Sequence, residues 1–183
     1  LANVLLDGGN ETMTGTFNIA IGESALSQNN TGSGNVVMGN NAALLNTTGS
    51  SNVAIGQAAL LLNNGDTNTA VGQGAGIVSN GTSNTFIGYG AGNAQTAGDN
   101  NILIGQLANV ANTIGSNQLS IGNWIYGDNG NIGINNPTPT ERLDVAGNIR
   151  FSGALMPNNV AGAAGEILLS QGAGLAPIWV ATS

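Results

Sequence analysis

A five-residue box, Asn52-Val53-Ala54-Ile55-Gly56, recurs down most of the chain and limits what it can fold into. The other copies are Asn18-Ile19-Ala20-Ile21-Gly22, Asn35-Val36-Val37-Met38-Gly39, Asn68-Thr69-Ala70-Val71-Gly72, Asn84-Thr85-Phe86-Ile87-Gly88, Asn101-Ile102-Leu103-Ile104-Gly105 and Gln118-Leu119-Ser120-Ile121-Gly122. Successive box glycines are 17, 17, 16, 16, 17 and 17 residues apart. Alanine follows three residues after each of the first six box glycines, at 25, 42, 59, 75, 91 and 108. Another glycine stands three residues before the later boxes, at 32, 49, 65, 81, 98 and 115. Four columns in one register mark a repeat protein.

Each box is short and rich in β-branched residues, so it reads as a strand. Glycine at both ends supplies turns that need positive φ. A period this short leaves room for about two strands and two turns per coil. The expected fold is therefore all-β: a parallel β-solenoid whose coils stack about 4.8 Å apart. In such a stack the column Asn18, Asn35, Asn52, Asn68, Asn84 and Asn101 is expected to form an amide ladder along one corner. The glycines Gly22, Gly39, Gly56, Gly72, Gly88, Gly105 and Gly122 are expected to turn the chain beside it.

Successive side chains of a strand point to opposite faces. Val53 and Ile55 thus share one face of their box and Ala54 takes the other. The expectation is that the Val/Ile face lines the coil's interior. The middle column, Ala20, Val37, Ala54, Ala70, Phe86 and Leu103, is then left to be buried by something outside the coil. A further copy of the chain offers a matching surface, so these six residues are the seam candidates of a homo-oligomer. Phe86 and Leu103 weigh most in that reading, being too large for a merely tolerated exposed position.

Composition narrows the functions. Charged residues make up 6% of the 183 positions and the net charge is −7, with Arg142 and Arg150 the sole basic residues. Nucleic-acid binding is not expected, since phosphates would find almost nothing to neutralise them. No apolar run approaches the roughly 20 residues of a membrane-spanning helix, so no membrane insertion is expected. Thirty glycines without a Gly-X-Y period exclude collagen. Cysteine and histidine are both absent. That removes the common zinc sites, Cys or His nucleophile chemistry and the usual triads. Nine scattered acids offer no convincing carboxylate pair for glycoside hydrolysis. No enzyme and no cofactor are expected.

Three regions follow. Residues 1–17 carry Leu1, Val4, Leu5 and Leu6 ahead of the turn cluster Asp7-Gly8-Gly9-Asn10, and suit an N-terminal cap or joint. Residues 18–126 are the coils. Their bulky runs, Leu44-Leu45 and Leu60-Leu61-Leu62, give way to Gly76-Ile77-Val78 and Gly92-Asn93-Ala94, which predicts a change of girth. Trp124-Ile125-Tyr126 suits a capping plug. Residues 127–183 read as a connector with short hairpins, one around Ala146-Gly147 and one around the Gln-Gly-Ala-Gly turn at 171–174. Arg142 and Arg150 lie beside Glu141 and Asp144, which predicts ion pairs. Leu1 in place of an initiator Met, and an end shortly after Ala181, are expected of a piece of a longer protein.

The tandem Asn-x-Ala-Ile-Gly boxes over residues 18–122 resemble the YadA-like head repeats of trimeric autotransporter adhesins, which also occur in phage tail fibres. Their period here is longer than the usual head repeat. The run Asn135-Asn136-Pro137-Thr138-Pro139-Thr140-Glu141-Arg142-Leu143-Asp144-Val145-Ala146-Gly147-Asn148-Ile149-Arg150 is similar to the connector that precedes an endosialidase-type intramolecular chaperone. The resemblance implies a homotrimer of left-handed β-rolls, at a cell surface or on a virion, with an adhesive role toward a host surface glycan or protein. It carries no catalytic residue. Two other readings stand beside it. One is a spacer or filament subunit without a receptor site. The other is a calcium-binding solenoid using Asp66 and Asp99, which hold equivalent turn positions where other copies have Ser33, Ser50, Thr82 and Ser116.

Overall fold

The computed structural model describes residues 3–182, and these divide into two compact units, one ending at Ala146 and one starting at Gly147. The first unit is a parallel β-solenoid of about seven turns. Each box contributes one three-residue strand: β2 (Ile19–Ile21), β3 (Val36–Met38), β4 (Val53–Ile55), β5 (Thr69–Val71), β6 (Thr85–Ile87), β7 (Ile102–Ile104) and β8 (Leu119–Ile121). Like residues pair with like: Val53 lies opposite Thr69, Ala54 opposite Ala70 and Ile55 opposite Val71.

The stack begins earlier than the boxes do. Strand β1 (Val4–Leu6) pairs in parallel with β2. Asn3 enters the corner ladder, its Oδ1 accepting the Asn18 N–H at 2.9 Å and its Nδ2 donating to the Gly15 carbonyl at 3.0 Å. Residues 3–17 are thus one further, shortened coil. At the other end the direction reverses. Strand β9 (Ile125–Asp128) runs antiparallel to β8, and β10 (Asn131–Ile134) antiparallel to β9. The link is Asn129-Gly130, both at positive φ (50° and 82°), which suits the mirror-image turn of a two-residue hairpin. Strand β11 (Leu143–Val145) then pairs in parallel with β10. The hairpin expected around Ala146-Gly147 does not form, because residues 148–151 contain no strand for β11 to pair with.

Each coil holds one regular strand, not two. The return segment crosses opposite the strand with Leu26, Ala43 and Leu60 at positive φ (54°, 46° and 50°), which excludes an extended conformation. An L-residue there costs roughly 1–2 kcal/mol. Hydrogen bonds between coils offset that strain: Leu26 donates to the Ala42 carbonyl (2.9 Å), Ala43 to Ala59 (2.8 Å) and Leu60 to Ala75 (2.9 Å). The alanine column sits three residues after the box glycine because its N–H closes a turn, as Ala59 does on the Gly56 carbonyl at 3.2 Å. All six of these alanines are fully buried. Box glycines inside the stack, such as Gly56, are required twice over. Gly56 has φ 129°, and a Cβ there would come within 2.6 Å of the Gly72 carbonyl in the next coil.

The faces of the box strand are the reverse of the sequence expectation. Ala20, Val37, Ala54, Ala70, Phe86 and Leu103 have no exposed surface and form the coil's own core, so they are not seam residues. Val53 and Ile55 point outward instead, and Ile55 is 37% exposed. The cause is thickness. The return segment lies so close to the strand that the interior admits one inward side chain per strand.

Large residues fit this thin interior by trading volume across it. Where the box centre is Ala20 or Ala54, the return position six residues on is Leu26 or Leu60. Where the centre is Val37 the return is Ala43, and where it is Phe86 the return is Gly92. A Cβ on Gly92 would overlap Phe86 Cδ1 and Cε1, and one on Gly76 would lie 2.5 Å from Phe86 Cδ2. The glycines at 76 and 92, which suggested a change of girth, make room for the Phe86 ring.

The alternation of 16- and 17-residue steps has a local origin. A second buried polar column, Asn29, Asn46, Asn63, Ser79 and Gln95, stands eleven residues after each box start. In 17-residue coils its member precedes the turn glycine by three residues, and Asn46 Nδ2 donates to the Gly49 carbonyl at 3.0 Å. In the two 16-residue steps the gap is two. Both amide atoms of Asn63, and the Ser79 hydroxyl, are then buried without a hydrogen-bond partner.

In the second unit β12 (Glu166–Leu169) pairs antiparallel with β13 (Ile178–Ala181), and a single 3-10 turn spans Pro157–Asn159. Trp179 donates from Nε1 to the Val160 carbonyl at 3.1 Å and covers Gly162, where a Cβ would meet its ring at 2.5 Å.

Candidate interaction surface

Because the box centre turns inward, its two flanking columns turn outward and stack. One row is Ile19, Val36, Val53, Thr69, Thr85, Ile102 and Leu119; the other is Ile21, Met38, Ile55, Val71, Ile87, Ile104 and Ile121. Val4 and Leu6, 49% and 57% exposed, continue both rows onto β1. In-register pairing of seven box strands gives a ribbon roughly 29 Å long at a ~4.8 Å spacing. Seven of these side chains are 37–44% exposed. They alone present on the order of 500 Å² of apolar surface, the upper end of what isolated proteins leave uncovered. Sequence reasoning named these residues but placed them inside. Alternation separates the two faces, and with apolar residues on both it does not say which is the interior.

Beside this ribbon runs the corner ladder, and here the sequence expectation holds. Asn18, Asn35, Asn52, Asn68, Asn84 and Asn101 are all buried. Each Oδ1 accepts the backbone N–H of the next column member at 2.8–3.0 Å, and each Nδ2 donates to a turn-glycine carbonyl at 2.9–3.0 Å. Amide–amide contacts occur at Asn35–Asn18 (3.0 Å) and Asn52–Asn35 (3.2 Å). Asparagine suits this corner because one short side chain offers a donor and an acceptor at once.

Asp66 and Asp99 belong to a third ladder, on the outside of the turn. Ser33 Oγ accepts the Thr16 N–H (3.0 Å), Ser50 Oγ that of Ser33 (3.1 Å) and Ser116 Oγ that of Asp99 (2.9 Å). Asp66 Oδ1 accepts the Ser50 N–H at 2.7 Å, and Asp99 Oδ1 the Thr82 N–H at 2.7 Å and hydroxyl at 2.9 Å. The two carboxylates therefore do the work of serine hydroxyls. The Thr82 backbone N–H, then its hydroxyl, holds the Asp99 carboxyl below the ordinary carboxylate range. Among the described residues no three Asp, Glu, His or Cys side chains gather as a metal site.

In the β9–β11 region Arg142 donates from Nη1 to the Gly130 carbonyl at 2.9 Å. Asp144 Oδ2 accepts the Thr140 N–H at 3.1 Å, which with Asn136 lowers its pKa. No helix among the described residues is long and apolar enough to cross a membrane. Compared with known protein families, curated proteins and solved structures, the chain matches none.

Proposed function

We propose that this chain is a non-enzymatic segment of a homotrimeric fibre or adhesin that attaches to a host or cell surface. The observation that carries the reading is the outward double row of mostly Ile and Val, interrupted by Thr69 and Thr85. It is uncharged and repeated in every coil, so identical copies can cover it face to face about a shared axis. At about 25 cal/mol per Å², covering about 500 Å² is worth about 12 kcal/mol per chain before the cost of association. The seam thus passes to the residues that flank the box centre. The resemblance to YadA-like head repeats supports the same assembly, with left-handed rolls, an extracellular or virion setting and residues 127–183 as connector.

The mechanism is mechanical. Backbone ladders, the asparagine corner and the seam together make a rod that resists unfolding, while its Asn, Ser and Thr turns face solvent. Sedimentation at micromolar concentration is expected to return three times the 18.1 kDa chain mass. Ile55→Glu, which changes only an outward residue, is expected to give a folded monomer. A wild-type chain that sediments as a stable monomer would refute the trimer. A spacer without a receptor site is the competing reading, and binding of the isolated trimer to surface glycans separates the two.

A further inference from the structure

One stretch of the solenoid surface departs from the repeat. The position two residues after each box glycine forms a column held at positive φ: Ser24 (58°), Asn41 (57°), Ala58 (56°), Gly74 (66°), Gly90 (61°) and Leu107 (53°). Four of these six carry side chains in the same conformation, so the backbone there does not demand glycine. Packing does not demand it at Gly74 either, where an added Cβ would meet nothing within 4 Å. The column dips at Ala58, Gly74 and Gly90, and the dip is a groove of about 390 Å³ along the stacking direction.

Its walls are chemically specific. Tyr89 stands where the neighbouring coils have Gln57, Gln73 and Gln106, and it is 53% exposed beside the Gly74–Gly90 floor. Gln73 Nε2 donates to Gln57 Oε1 at 3.1 Å. That leaves Gln57 Nε2 as a donor and Gln73 Oε1 as an acceptor, with the Tyr89 hydroxyl next along the same column and Asn93 Nδ2 also lining the groove. No charged residue lines the groove; the sole charges between residues 57 and 109 are Asp66 and Asp99, both engaged in the outer turn ladder.

We propose that this groove binds a neutral oligosaccharide, an assignment that rests on the attachment role above and gives it a site. An uncharged trough with an aromatic ring on one side suits the C–H face of a pyranose. Paired carboxamide donors and acceptors suit hydroxyls, which need both. The Gln57 and Gln73 amides stand one coil apart, ~4.8 Å, close to the advance of one sugar unit along an extended chain. Pockets of this kind take an apolar wall with a few placed polar groups.

The repeat itself supplies the test variants. Gly74→Asn installs the residue that Asn41 carries in the same conformation, and fills the floor. Tyr89→Gln installs the residue of the neighbouring coils, and removes the platform. The full chain is to be screened against immobilised neutral oligosaccharides, sialylated and sulfated glycans and a peptide library, with melting and sedimentation measured on the same samples. The expected result is binding confined to neutral oligosaccharides, weakened at least tenfold by each variant with melting temperature and mass unchanged. Absence of neutral-glycan binding up to millimolar concentration, a preference for acidic glycans or peptides, or binding that survives both variants overturns the proposal. A trimer that binds no sugar defeats the groove alone; a monomer that binds sugar through Tyr89 defeats the trimer alone.

Discussion

Replacing Gly92 with alanine tests how the interior accommodates Phe86. All three atoms nearest to an added Cβ belong to the Phe86 ring, and two of them, Cδ1 and Cε1, would overlap it. The ring cannot swing away, because it is fully buried and its other edge faces Gly76, where a Cβ would lie 2.5 Å from Cδ2. Overpacking of this kind costs about 1–3 kcal/mol. Alanine at φ 66° adds about 1 kcal/mol, so Gly92→Ala is expected to lose about 2–4 kcal/mol. Phe86→Ala opens a cavity and is expected to lose about 3–5 kcal/mol. Without the ring the overlap vanishes, and Ala at residue 92 keeps only the backbone strain that Ala43 and Ala58 already carry at φ 46° and 56°. The double variant should therefore cost about 1–3 kcal/mol less than the two single losses added together. Urea unfolding monitored by circular dichroism gives each value from its midpoint and slope. Strict additivity, or a Gly92→Ala loss no greater than the backbone strain alone, would refute the volume trade.

The two buried amide columns are expected to differ sharply. Asn52→Ala strands the Asn68 N–H and the Gly65 carbonyl, costing about 2–6 kcal/mol. Asn63→Ala breaks no hydrogen bond and should stay within about 1 kcal/mol of wild type; equal losses in urea unfolding would contradict the ladder account. Acid sensitivity should follow Asp99. Its folded pKa lies below the unfolded 3.8, so its contribution is present above pH 3.8 and is lost as pH falls through the lowered folded value. Asp99→Ser keeps a side-chain acceptor, as Ser50 and Ser116 provide. It should flatten the acid limb of the melting-temperature profile; an unchanged limb counts against the Asp99–Thr82 hydrogen bonds as its origin.

Asn131-Ile132-Gly133-Ile134 and Asn3-Val4-Leu5-Leu6 stand at the two ends of the repeat. The first echoes a box but forms a hairpin arm, because Asn129-Gly130 reverses the chain just before it. The second was legible as a coil from Asn3 and from Gly15, three residues before Asn18. It was obscured because Asp7 stands in the glycine place. The buried column at Asn29, Asn46, Asn63, Ser79 and Gln95 was also written at a constant spacing of eleven, hidden by its change of residue type. The outward ribbon was not legible in this way, because its residues are apolar and so are those of the core.

By itself the sequence determined the period, the strands, the turn glycines and the asparagine corner. Stacking in register sets each residue on its own kind, so a column that must bond or fit to itself has to repeat. Tertiary structure alone decided which face of the strand is the interior. In Val53-Ala54-Ile55 all three residues are apolar, so alternation separates two faces without saying which is buried. The close approach of the return segment decides it, since only the centre residue fits between. The same constraint sends Phe86 inward over Gly76 and Gly92, and leaves the two flanking rows facing outward.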